Sequence, residues 1–306
     1  LIIGGGLVGA SLAIALQRIG RSACLLEASA AGSLPAVFDQ RNLSFAAATI
    51  NALTALGVMQ KLRTPTGAIQ RIHVSRQGDF GRVLLDARQY QREAFGQVVV
   101  ARDFGEALEA RLAELPRLVR YRPVRFAGLV EDAADAPWRS LRVVDEGGER
   151  TLRARLLVAA DGTRSAVRAA LGIGTVEHDY GHHLFVTRLR TDRAVDGTAY
   201  ERLTNAGPTA LLPRGDRHYG LIHGVANDEV EAVSALAPAA HDSLADFGGR
   251  THDASQAIGY HKAALVFLML RDTLGEVQRA RGPCGELAVE ASRGRGLGQR
   301  ALDRHH

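Results

Sequence analysis

Residues 1–9 read Leu-Ile-Ile-Gly-Gly-Gly-Leu-Val-Gly, and the first acidic residue beyond them is Glu27. Leu1, Ile2 and Ile3 read as the end of a buried parallel strand. Gly4, Gly6 and Gly9 then fall at G-x-G-x-x-G spacing. The first glycine permits a tight turn, the second lets a pyrophosphate approach the backbone, and the third lets a helix lie close to the strand. The mostly small or aliphatic run Ala10 to Ile19 suits a helix packed on a sheet, with Gly20 as its stop. Its N-terminus offers free N–H groups and a positive dipole end to phosphates. Ala23 to Leu26 supply a second strand, and Glu27 at its end is placed to accept hydrogen bonds from ribose hydroxyls. Strand, helix, second strand and acid agree, so an adenine dinucleotide is expected rather than a structural turn. A carboxylate at position 27 disfavours a 2′-phosphate, which leaves FAD or NAD.

The chain has 306 residues, 46% hydrophobic and 23% charged, as in an ordinary globular protein of one large or two smaller domains. Its longest apolar run, Ala263 to Leu270, falls well short of the roughly 20 residues needed to span a bilayer. No signal peptide is visible, and a short stretch preceding Leu1 is expected because the first strand is only a stub. Cys24 and Cys284 cannot build a disulfide framework, which fits a reducing cytoplasm. The formal charge is +5, yet all 38 Lys+Arg residues except Lys61 and Lys262 are arginines, dispersed along the chain. With aromatics at 5%, no clustered patch with stacking rings is present, so nucleic-acid binding is not expected. The positive surface suits anionic cofactors or an anionic membrane face.

Along the chain, Leu43, Ala47, Ile50, Leu53 and Leu56 lie near helical spacing and predict a helix stopped by Gly57. Ile69 to Leu85 predicts a hairpin around Gly78 and Gly81. Gln97 to Val100 reads as a strand entering a helix over Phe104 to Leu115, followed by strands over Val119 to Val130 and Leu141 to Val144. Leu152 to Ala159 reads as a buried strand that delivers Asp161-Gly162 to a loop. Ser165 caps a helix that ends at Gly172. Leu184 to Arg190, Thr198 to Leu203, Thr209 to Leu212 and Tyr219 to Val225 predict antiparallel strands. The fold class is therefore α/β: a Rossmann-like, parallel-sheet dinucleotide-binding domain (1–65 and 97–172) interleaved with a mostly antiparallel substrate domain (66–96 and 173–240). Residues 241–306 receive no assignment, and Arg279 to His306, rich in Arg, Gly and Ala, has no steady period. His178, His182 and His183 sit in a turn with no carboxylate or Cys set, so no metal site is expected. There is also no G-x-S-x-G elbow and no Walker lysine.

The opening turn combined with Asp161-Gly162 resembles the FAD-dependent aromatic hydroxylases. It is more specifically similar to the ubiquinone-biosynthesis hydroxylases of the 2-polyprenyl-6-methoxyphenol hydroxylase type. That closer resemblance rests on residues 38–41 (FDQR), 72–75 (IHVS) with Gly78, Phe80 and Gly81, 96–99 (GQVV), 201–204 (ERLT), Gly207-Pro208 and Leu211-Leu212-Pro213, and covers about residues 1–235. It implies that Gly4, Gly6 and Gly9 line the FAD pyrophosphate turn, with backbone from Gly5, Leu7 and Val8, and that Glu27 takes the adenosine ribose. It further implies FAD contacts for Arg41, Gln97 and Arg102, and a shared FAD and NAD(P)H role for Asp161 and Gly162. Read without the resemblance, Arg41, Gln97 and Arg102 are surface or interdomain hydrogen bonders. Pro213 is implied to lie nearest the flavin, on the substrate side.

The implied activity is hydroxylation of a hydrophobic, polyprenylated phenol with NADH or NADPH and dioxygen. The cofactor carries the difficult step, so no catalytic base or nucleophile is assigned. The implied setting is cytoplasmic, peripheral on the inner face of the membrane or within a quinone-biosynthesis complex. The family's later G-D/N-A-A-H-like segment has no counterpart after Pro213. Two other readings stay open: an NAD-dependent dehydrogenase, which the opening motif alone allows and Asp161-Gly162 argues against, and a truncated nucleotide-binding relic without activity, which the missing segment favours.

Overall fold

A two-residue strand, β1 (Ile2–Ile3), stands at the centre of a parallel sheet, and the chain turns from it directly into α1 (Leu7–Arg18). The structure, a computed structural model, describes residues 1–35, 38–190, 194–215 and 217–236. The segment 241–306, left unassigned by the sequence, lies outside the described residues, as does Cys284. After α1 come β2 (Cys24–Leu26), β3 (Asn42–Ala46), α2 (Ala47–Ala55), β4 (Gly67–Ile69), β5 (Arg71–Arg76) and β6 (Arg82–Asp86). Next are β7 (Gly96–Val100), α3 (Ala101–Ala113), β8 (Val119–Tyr121), β9 (Arg125–Val130), β10 (Arg139–Asp145), β11 (Gly148–Ala154), β12 (Val158–Ala159) and α4 (Ala166–Ala170). The last elements are β13 (His182–Arg190), β14 (Thr198–Thr204), β15 (Gly207–Pro213), β16 (His218–Ala226) and α5 (Val230–Leu236).

Four parallel strands run in the order β12-β1-β2-β8. Strand alternation sends Ile2 and Ile3 to opposite faces. Ile2 meets the helix side, where its Cγ2 lies 3.2 Å from where a Cβ on Gly9 would be. Ile3 joins Leu26, Val124, Leu141, Val143 and Val167 in a core shared with the antiparallel sheet β11-β10-β9 and with α4. Leu141 is fully buried there, so Leu141→Ala is expected to cost about 3 kcal/mol of stability. Chemical denaturation measures it, and a cost below about 1 kcal/mol would mean this face is not a packed core.

A second small sheet, β3-β7-β4, is antiparallel. The largest sheet has the order β13-β16-β15-β14-β5-β6 and is antiparallel throughout except where β14 runs parallel to β5. The sequence is thus right in class: a parallel nucleotide-binding sheet interleaved with a mostly antiparallel one.

Several element readings change. Leu43 belongs to β3, not to the helix, because Leu43 and Phe45 are buried while Ser44 and Ala46 are exposed, and the helix starts only at Ala47. The predicted helix from Phe104 begins earlier, at Ala101. The stretch 119–130 divides into β8 and β9 at Pro123, which cannot donate to a ladder. The stretch 152–159 is neither one strand nor buried. β11 is paired to β10 along an exposed edge, Leu156 is 68% exposed, and only Val158–Ala159 join the parallel sheet. Its polar alternation, Arg153 and Arg155 among leucines, is that of a half-solvated hairpin. β4, placed by the sequence with 66–96, hydrogen-bonds to β7.

Candidate functional site: a cofactor cradle at three strand ends

The carboxyl ends of β12, β1 and β2 lie side by side, and each is followed by one of the residues singled out in the sequence. Gly4 follows β1 and donates its N–H to Leu26 O at 2.9 Å. Glu27 follows β2 and donates to Tyr121 O at 3.0 Å, and Ala160 follows β12 and donates to Ile3 O at 2.7 Å. Two motifs more than 150 residues apart thus form one edge, the place where open α/β sheets bind nucleotides.

The turn is packed backbone to backbone. Gly4 has φ +103°, and a Cβ there would stand 2.3 Å from Ala160 O and 2.9 Å from Asp161 Cα. A Cβ on Gly9 would stand 1.9 Å from Gly4 O. Gly6 is the N-cap of α1, and no side chain caps the helix and no acid occupies its first turn. The amides of Leu7, Val8 and Gly9 therefore lack intrahelical partners and face an open N-terminus.

Glu27 is buried and held in place by its own chain. Its Oε2 accepts from Gly5 N at 2.7 Å, and its Oε1 accepts from Ser29 N at 2.7 Å and Ser29 Oγ at 2.8 Å. Oε1 is filled, while Oε2 keeps a lone pair for one further donor. The sequence expected the carboxylate to accept hydrogen bonds from both ribose hydroxyls. The structure instead shows a carboxylate fixed by Ser29 and aimed at the turn by Gly5. Ser29 was missed; its only signal was a serine two residues beyond the acid.

Asp161 is turned away from the turn. Its Oδ1 accepts from Ser165 Oγ at 2.6 Å and its Oδ2 from Val167 N at 3.2 Å, while Ser165 Oγ accepts from Arg168 N at 2.9 Å. Asp161 thus supports the start of α4, and its backbone, with Gly162 at φ +85°, borders Gly4. Asp161→Ala is expected to lower stability by about 1 kcal/mol in the absence of any cofactor. Thermal unfolding without FAD tests this; an unchanged midpoint would assign the carboxylate to the ligand instead.

The other predicted contacts form separate groups. Arg41 is buried, its N and Nε donate to Asp39 Oδ1 at 2.9 and 2.8 Å, and its carbonyl accepts from Ala101 N at 2.9 Å. Arg102 N donates to Asp39 O at 2.8 Å, so Arg41 and Arg102 meet at the first turn of α3, where the Arg102 side chain is exposed. Gln97 Oε1 accepts from Thr66 Oγ1 at 2.8 Å. Pro213 is buried at the end of β15, and its carbonyl oxygen would lie 1.9 Å from a Cβ on Gly67. Among the histidines, His182 Nδ1 bonds Tyr180 O at 3.0 Å and His183 Nδ1 bonds Asn227 Oδ1 at 2.8 Å.

The six-stranded sheet carries an apolar patch on one face, which it shares with Glu201 and Arg188. Register and alternation put Val186, Ile222, Ala210, Leu212, Ala199 and Ile72 on one side. Ala199, Ile72 and Leu212 pack with Ile69 and Val98 of the neighbouring small sheet.

These features define a dinucleotide-binding α/β protein with an attached, mostly antiparallel sheet. The sequence profile of the family described as FAD binding domain matches residues 1–231, and the chain belongs to that family. Ubiquinone hydroxylase UbiL of Rhodospirillum rubrum is 33% identical over 242 residues, 79% of this chain and 54% of that protein. The 3-demethoxyubiquinol 3-hydroxylase of Escherichia coli is 25% identical over 226 residues, 72% of this chain and 56% of that one. The chain thus spans about half the length of the curated relatives it matches. Among solved structures, p-nitrophenol 4-monooxygenase PnpA of Pseudomonas putida superposes with a TM-score of 0.62 at 19% identity, covering 77% of this chain and 60% of that one. Aklavinone-11 hydroxylase in complex with FAD and aklavinone gives 0.55 at 20% identity, covering 77% and 49%. These two show the shared fold.

The residues present fit FAD. The cradle that side chains at positions 4, 5 and 9 would fill is left open by glycine. The uncapped α1 N-terminus suits a pyrophosphate, and Glu27 Oε2 suits a ribose hydroxyl.

Proposed function

We propose that this chain carries the cofactor cradle and substrate platform of an FAD-dependent monooxygenase that hydroxylates a polyprenylated phenol in ubiquinone biosynthesis, using NADH or NADPH and dioxygen. The observation that carries this reading is the convergence of Gly4, Glu27 and Asp161 at adjacent strand ends in a chain related to ubiquinone hydroxylases. FAD, when bound, supplies the activation of dioxygen and the transfer of oxygen to the ring. The protein's own part is to bind and orient. The α1 amides and Gly4–Gly9 hold the pyrophosphate, Glu27 the ribose, and Arg41, Gln97 and Arg102 further parts of the cofactor. The apolar patch of the large sheet receives the ring and tail and keeps water from them, with Pro213 at its border.

In this reading 1–65 and 97–172 serve the cofactor and 66–96 and 173–240 the substrate. No described helix is long and apolar enough to cross a membrane. Access to a prenylated substrate from a membrane face is part of this proposal. Oxygen uptake driven by NADH or NADPH, stimulated by a prenylated phenol and yielding hydroxylated product, is the test. A protein that takes up FAD yet yields no hydroxylated phenol would favour the relic reading. Tight NAD binding without a flavin spectrum would favour the dehydrogenase.

A further inference from the structure

The cofactor cradle draws on three of the four strands of the parallel sheet. The fourth, β8, ends at Tyr121 beside β2, and the residue that follows it is Arg122. Backbone hydrogen bonds set Arg122 next to Glu27: Glu27 N donates to Tyr121 O at 3.0 Å, and Val124 N donates to Glu27 O at 2.8 Å. The Arg122 side chain is only 9% exposed, so its charge is largely out of water and has to be met within the protein.

The guanidinium is directed at the loop that follows Glu27. Its Nε donates to Ser29 O at 3.2 Å, and its Nη2 donates to Ala30 O at 2.8 Å and also to Ser33 O. Its Nη1 donates to Glu109 Oε1 at 2.9 Å, while Glu109 Oε2 accepts from Arg120 Nη2 at 2.6 Å. Glu109 is a firm anchor, because it stands on α3, whose Phe104, Leu108 and Leu112 are buried. The planar fork of an arginine suits several carbonyls lying side by side.

Ser29 is where this loop meets the cradle. Its carbonyl is held by Arg122, and its N–H and hydroxyl both donate to Glu27 Oε1, at 2.7 and 2.8 Å. A path of hydrogen bonds therefore runs from Glu109 through Arg122 and Ser29 to Glu27, whose Oε2 faces the glycine turn. Ala30, Ala31, Gly32 and Ser33 are exposed, small residues that bury no large apolar side chain. Such a loop gains little order from packing, so the clasp on its carbonyls is what holds Ser29 in place.

We propose that Arg122 is a positioning residue for the adenylate half of FAD. By clasping the loop over residues 29–33 it keeps Ser29 on Glu27 Oε1, and so keeps Oε2 aimed at a ribose hydroxyl. Arg122 acts through Ser29 and Glu27, without touching the cofactor. The inference rests on reading Glu27 as the ribose acceptor, and it adds the residue that sets the geometry of that acceptor.

The test is calorimetric titration of the whole chain with ADP and with 2′,3′-dideoxy-ADP, which lacks both ribose hydroxyls. One hydrogen bond to a charged acceptor gives the wild type a preference for ADP of about tenfold. Arg122→Gln is expected to weaken ADP about fivefold and to leave dideoxy-ADP within about twofold, so the preference falls to about twofold. Arg122→Gln combined with Glu27→Gln is expected to weaken ADP no further than Glu27→Gln alone, because both substitutions act on one acceptor. Arg122→Lys, whose single ammonium cannot span three carbonyls, falls between the wild type and Arg122→Gln. If ADP and dideoxy-ADP weaken together in Arg122→Gln and the preference is kept, Arg122 is a general stabiliser and the inference is overturned. A wild type that binds the two equally, or binds neither, overturns the reading of Glu27 and the inference with it. Should Arg122→Gln fail to fold, the partly exposed Glu109→Gln decides: a reduced preference for ADP sustains the inference, and an unchanged one overturns it.

Discussion

Gly9→Ala is expected to abolish measurable FAD uptake, with a loss of affinity of at least about a hundredfold, and to destabilise the fold by on the order of 3 kcal/mol. The new methyl would stand 1.9 Å from Gly4 O, a backbone atom that cannot swing aside as a flexible side chain would. Relief requires α1 to move off β1. That movement takes the Leu7 and Val8 amides, the proposed pyrophosphate donors, with it. Fluorescence titration with FAD and thermal unfolding measure the two effects. A Gly9→Ala protein that binds FAD as the wild type does would show that the cofactor does not use this turn.

Glu27→Gln is expected to weaken FAD about tenfold or more. In the native protein three donors converge on the carboxylate: Gly5 N, Ser29 N and Ser29 Oγ. An amide presents one oxygen and one NH2, so at least one buried N–H would face another donor. An unsatisfied buried donor costs about 1–3 kcal/mol. The same substitution removes the acceptor at Oε2 that is offered to the ribose. The loss should therefore appear with adenosine-containing ligands and not with FMN, as a competition titration would reveal. Equal losses for FAD and FMN would place the effect in general unfolding rather than at the ribose.

Much of this cradle was legible because independent signals coincide at one place. An apolar strand, glycines at fixed spacing, a helix of small residues and an acid after the next strand all describe the same βαβ unit. The sheet class was legible for a similar reason, since the strands from 182 to 226 alternate and are punctuated by turns.

Where the reading went astray, one pattern had two physical meanings. Leu43, Ala47 and Ile50 fall at helical spacing, yet the chain passes from β3 straight into α2 between Ala46 and Ala47 with no breaker to mark the change. Asp161 in a turn could serve a ligand or the next helix, and Ser165, four residues on, belongs to the second use. Glu27 was found as an acid at the right distance, but its fixation by Ser29 depends on a local bend that spacing does not encode.

The most direct measurement of the central claim is competition for FAD by its two halves. Purified protein loaded with FAD is titrated separately with ADP and with FMN, and released flavin is followed by fluorescence. If the glycine turn and Glu27 grip the adenylate end, ADP displaces FAD from the wild type and does so less effectively from Glu27→Gln. Displacement by FMN but not by ADP, or a protein that takes up no FAD, would contradict the account.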